Sequence, residues 1–74
     1  MKFDKQFIKD LIVIKPDIYH DNRGKFNRHF CKEEFLNEGI NFTVCQGNLS
    51  ENFKKHTIRG FHFQQQPYKE AKII

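Results

Sequence analysis

His62 lies in the stretch TIRGFHFQ, residues 57–64, three positions after Arg59 and two after Gly60. An imidazole in such a setting can act as a base near neutral pH, bind a metal or simply pack. Metal binding is the poorest fit. Catalytic zinc and non-haem iron sites need about three protein ligands, and a strand supplies two on one face only as His-x-His. Here the second position is Gln64, and His20, His29 and His56 are scattered without ligand spacing. Strict strand alternation places His62 with Ile58, Gly60 and Gln64 on one face, and Arg59 with Phe61 and Phe63 on the other. An isolated Gly inside a strand signals a bulge, and a bulge at Gly60 turns Arg59 and His62 to one side. The spacing therefore predicts an irregularity at Gly60 that lets the two side chains share a cavity.

The elements that must position these residues read mainly as strands. Leu11 to Ile14 is a β-branched apolar run stopped by Pro16, and Ile18 and Tyr19 lead into a DNRG turn. KFNRHF, residues 25–30, alternates with Phe26, Arg28 and Phe30 on one side, which predicts a strand. CKEEFLNEG predicts one short helix: Glu33 and Glu34 suit its first turn, Phe35 and Leu36 give it an apolar contact, and Gly39 suits its stop. Strand patterns resume in INFTVCQ, in TIRGFHFQ and in EAKII. There is no repeat and no linker. Ile73 and Ile74 continue a strand pattern with no turn or Gly after them, so the sequence reads as cut short, with room for five or six strands.

The chain has 74 residues and a net charge of +4, from 13 Lys and Arg against 9 Asp and Glu. That balance favours an anionic partner without selecting one. Nine Phe and two Tyr supply aromatic surface for a packed domain, which argues against a disordered tail. Cys31 and Cys45 lack CxxC spacing and read as reduced, inert packing residues. The first ten residues carry Asp4 and Asp10 where a signal peptide needs an apolar run, and no segment is long enough to span a membrane. A cytoplasmic protein with no membrane association is expected.

RGFHFQ following CQGNLS and preceding PYKEAK resembles the dTDP-4-dehydrorhamnose 3,5-epimerase family, and DNRGKF resembles that family's Asp-x-Arg-Gly-x-Phe turn. The likeness runs from about Leu11 to Ile74, with four motifs in the family's order. It implies an all-β fold, a cupin jelly roll (double-stranded β-helix), of which residues 1–74 are the N-terminal part of a single domain. It implies an isomerase that inverts carbons beside the 4-keto group of a dTDP-linked 4-keto-6-deoxy sugar, without metal or organic cofactor, and a homodimer in the full-length form. By position, His62 matches the family's general base and Lys72 the lysine facing the keto oxygen. Arg23 and Arg59 match arginines on the nucleotide portion, Gln46 and Asn48 match polar residues of the nucleotide site, and Phe26 matches an aromatic near the base. Arg28 and Gly47 depart from the family, each standing where an acidic residue is usual. The family's proton-donating tyrosine and the carboxylate that orients its histidine come later in its chains, so the resemblance implies inactivity of these 74 residues alone.

Two other functions fit the residues less well. A small basic β module could stack single-stranded nucleic acid on its aromatics, but the basic residues spread from Lys2 to Lys72 without a dense run. A non-catalytic interaction remnant is the second. The family reading therefore carries the expectation of no nucleic-acid partner.

Overall fold

The computed structural model describes residues 1–74, which divide into two compact units, Met1–Phe42 and Thr43–Ile74. All its regular structure lies in the first: four short strands and one short helix, consistent with an all-β class.

Strands β1 (Lys2–Lys5) and β2 (Ile12–Lys15) form an antiparallel pair, with Phe3 opposite Ile14 and Asp4 opposite Val13. Period-2 alternation puts Phe3, Ile12 and Ile14 on the half-buried face. On the other face Lys15 forms an ion pair with Asp4. The connection is closed by Gln6 N–H donating to the Leu11 carbonyl at 3.0 Å. β1 was not expected from the sequence: one apolar residue in four makes no periodic signal, and its pairing with β2 is what defines it.

Pro16 ends β2, because it has no N–H to donate to a ladder. Strands β3 (Ile18–Asp21) and β4 (Gly24–Asn27) then form a second two-stranded sheet, joined by Asn22 and Arg23. Gly24 takes φ +137°, a backbone conformation that side chains other than Gly's disfavour, so the DNRG turn is formed as its composition predicts. The strand expected over 25–30 stops at Asn27, which pairs with Ile18. Its partner runs out there at Asp17 and Pro16. Phe30 consequently leaves the side that Phe26 and Arg28 share: it packs edge-on against Phe35 with ring centres 4.8 Å apart, while Phe26 is exposed.

The helix α1 (Lys32–Asn37) has the expected Glu33 and Glu34 in its first turn. Its stop is a Schellman motif. Gly39 N–H donates to the Leu36 carbonyl at 3.0 Å and Ile40 N–H to the Phe35 carbonyl at 2.8 Å, with Gly39 at φ +76°. Phe35 is the buried centre of this unit, 1% exposed, and Phe3 of β1 meets it edge-on at 5.3 Å. Leu36 stays largely exposed, so the expected apolar contact of the helix rests on Phe35.

The second unit corrects the strand readings of INFTVCQ, TIRGFHFQ and EAKII: none is a strand here, and every residue from Thr43 to Ile74 is exposed. A helix satisfies its backbone within one segment, whereas a strand does so only beside another strand. The patterns are suited to strands, but no ladder partner lies alongside. Phe61 and Ile74 are accordingly fully exposed.

Candidate functional site

The first unit carries two of the candidate residues, both on the β3–β4 hairpin. Arg23 sits in the turn, where Asp21 fixes it. Its backbone N–H donates to Asp21 Oδ1 at 2.8 Å, and its Nε and Nη2 donate to Asp21 Oδ2 at 3.1 and 2.7 Å. The Arg23 side chain is 86% exposed. Its hydrogen bonds hold the Asp21 carboxyl below the usual carboxylate value. Phe26 lies on β4 directly opposite Tyr19, an aromatic cross-strand pair. These two rings, with Met1, Asp17, Arg28 and Glu34, line a shallow cleft of about 130 Å³.

Opposite charges crowd that cleft. The α-amino group of Met1 donates to Asp17 Oδ2 at 2.9 Å and to Glu34 Oε1 at 3.3 Å. The bond to Asp17 raises the α-amino pKa and lowers that of Asp17. Arg28 Nη1 lies 3.7 Å from Glu34 Oε2, a buried oxygen without a hydrogen bond. Arg28 thus faces a carboxylate from the helix.

The second unit carries Gln46, Asn48, Arg59, His62 and Lys72, all exposed. Lys72 Nζ lies 3.4 Å from the His62 carbonyl oxygen and 3.1 Å from Glu70 Oε1, so the structure brings the two candidate catalytic residues together through a backbone contact. Arg59 Nη2 donates to the Glu51 carbonyl at 3.2 Å. The backbone is irregular at Gly60, which has φ +118°. A Cβ there would meet only ordinary contacts, the closest 3.5 Å from the His62 nitrogen, so conformation rather than space calls for glycine. No strand passes through the segment, and Arg59 and His62 share no enclosed cavity.

Both cysteines are free, and Cys45 is exposed rather than packed. No three His, Cys, Asp or Glu side chains converge as a metal site would require. No helix is long and apolar enough to cross a membrane. Sequence reasoning missed Asp21 as a partner of Arg23; the signal was present as Asp-x-Arg within a turn, a spacing that lets a carboxylate fold back onto the chain.

Comparison with known proteins places these motifs in a class of nucleotide-sugar isomerases. The sequence profile of the dTDP-4-dehydrorhamnose 3,5-epimerase family matches residues 5–74, and the chain belongs to that family. It is similar to the dTDP-4-dehydrorhamnose 3,5-epimerase of Sinorhizobium fredii, 30% identical over 74 residues, covering the whole chain and 38% of that relative. It is also 31% identical over 75 residues to the enzyme of that name from Shigella flexneri, covering the whole chain and 41% of the relative. The corresponding protein of Methanothermobacter thermautotrophicus is 32% identical over 65 residues, with 88% of the chain and 35% of the relative covered. The chain thus spans about two-fifths of the length of these curated relatives. No solved structure matches it.

Proposed function

We propose that these 74 residues are the N-terminal part of a single cupin-type domain whose complete form inverts the carbons beside the keto group of a dTDP-linked 4-keto-6-deoxy sugar. The observation that carries this is the family match over residues 5–74, which includes both the DNRGKF and the RGFHFQ motifs. In this reading the neutral imidazole of His62 removes a proton from a carbon next to the ketone. The C–H electrons pass into the ring and onto the keto oxygen, forming an enolate, and Lys72 stabilises the negative oxygen. Protonation from the opposite face fixes the inverted configuration. Arg23 and Arg59 bind the diphosphate, Gln46 and Asn48 line the nucleotide site, and Phe26 lies against the base. The complete protein acts in the cytoplasm as a homodimer.

The chain by itself offers no water-excluded cavity around His62, because the whole second unit is exposed. Proton transfer in such a site gains little over solvent, and no measurable inversion by the isolated chain is expected. The test joins residues 1–74 to the remainder of the Shigella flexneri relative and follows deuterium incorporation into dTDP-4-keto-6-deoxyglucose in D₂O. The chimera should exchange and invert. His62→Ala should lower exchange by about 10²–10⁴-fold, the usual worth of a general base, while His29→Ala should leave it intact. Exchange retained in the His62 variant places the base elsewhere.

A further inference from the structure

The β3–β4 turn clamps one guanidinium before any ligand arrives. Arg23 has five N–H donors, and Asp21 Oδ2 accepts from Nε and from one hydrogen of Nη2. Asp21 Oδ1 meanwhile accepts the backbone N–H of Arg23 at 2.8 Å, which ties the carboxylate to the turn itself. Two donors on Nη1 and one on Nη2 remain. They form a second two-pronged edge on a side chain that is 86% exposed.

We infer that Asp21 is a positioning residue for Arg23, holding one edge of its guanidinium so that the other is pre-set to grip a diphosphate. The inference rests on the reading of Arg23 as a diphosphate contact. Two effects of the carboxylate oppose each other. Immobilising a rotamer-rich side chain in advance removes an ordering cost from binding, worth about 3- to 10-fold in affinity. Negative charge on Asp21 repels the diphosphate, but two such groups about 7 Å apart in water at physiological salt lose only about 2-fold. Positioning outweighs repulsion, and a net gain of about 1.5- to 5-fold follows.

Removing the charge and removing the turn contact can be separated. Asp21→Asn keeps an oxygen for the Arg23 backbone N–H but gives up the charged grip on the guanidinium. Asp21→Ala loses both. Titrating dTDP into the 74-residue chain, with the Arg23 Nε–H resonance and β3–β4 amide exchange as readouts, should give a dTDP affinity about 1.5- to 5-fold weaker for Asp21→Asn, with hairpin protection near that of the unaltered chain. Asp21→Ala should weaken both. If Asp21→Asn binds dTDP as tightly as the unaltered chain or tighter, Asp21 serves only the turn, or competes for Arg23, and the inference is overturned. Arg23→Ala separates the two levels: unchanged dTDP binding in that variant overturns the diphosphate role of Arg23 itself, and the positioning role with it.

Discussion

The units Met1–Phe42 and Thr43–Ile74 carry similar strand-like patterns and reach opposite outcomes. In the first, each strand finds its partner a few residues away: β3 and β4 are separated by two residues, β1 and β2 by six. In the second, TIRGFHFQ and EAKII alternate as strands do, yet every residue is exposed. Strand formation in this chain therefore follows the availability of a local partner, not the quality of the pattern. Five of the seven candidate site residues, including His62 and Lys72, lie in the unit that lacks regular structure. Regular structure and most of the candidate residues thus lie in different parts of the sequence, with Arg23 and Phe26 the two candidates on the β3–β4 hairpin.

The largest test of that contrast is Phe35→Ala. Truncating the buried ring, which Phe3 and Phe30 meet edge-on, should cost about 3–5 kcal/mol, enough to unfold a unit this small. Hydrogen exchange should then show loss of protection in both hairpins, with no change from Thr43 to Ile74, where exposed residues outside any strand or helix should exchange fast in the unaltered chain as well. Protection appearing in the second unit of the unaltered chain would break the comparison. A smaller effect is expected at Gly39, where an added Cβ meets open space but the left-handed backbone disfavours it. Gly39→Ala should destabilise α1 by about 1–2 kcal/mol, read as a lower thermal midpoint of the first unit alone.

Smallest is the acid response of the β3–β4 turn. Hydrogen bonds from Arg23 lower the Asp21 pKa from its ordinary 3.8, so the carboxylate contributes stability that is complete above 3.8 and lost as pH falls through the lowered value. The Asp21 carboxyl carbon resonance should titrate below 3.8, and hairpin protection should hold from pH 7 to pH 5. A midpoint at or above 3.8 would mean that the clamp on Arg23 is not maintained in water.

Features encoded within a few residues were legible in the sequence. The helix with its glycine stop needs only Glu33, Glu34, Phe35 and Gly39 in order, and the DNRG turn needs only its own four residues. At Gly60 the expected bulge is not formed, because no strand passes there, although the backbone does take a glycine-favouring φ of +118°. β1 was not, because Phe3 acquires meaning only opposite Ile14. Residues 40–46, 57–64 and 70–74 were read as strands from a pattern that describes which side chains want burial, but hydrogen-bonded pairing is a property of two segments. The family was legible from four short motifs in order, all of them within the stretch that the family profile matches, residues 5–74. The pairing of Asp21 with Arg23 went unread because a turn explained both residues separately.

The closeness of partners in the first unit also sets a timetable. Hairpins close in about 1–10 µs, whereas a ribosome adds about 5–20 residues per second. The two hairpins, Phe35 and the Gly39 stop involve only residues 1–42, so once that stretch is free of the ribosome they can be assembled far faster than the seconds over which the chain is made. A frame built only from near neighbours needs nothing from the segment that carries His62 in order to form.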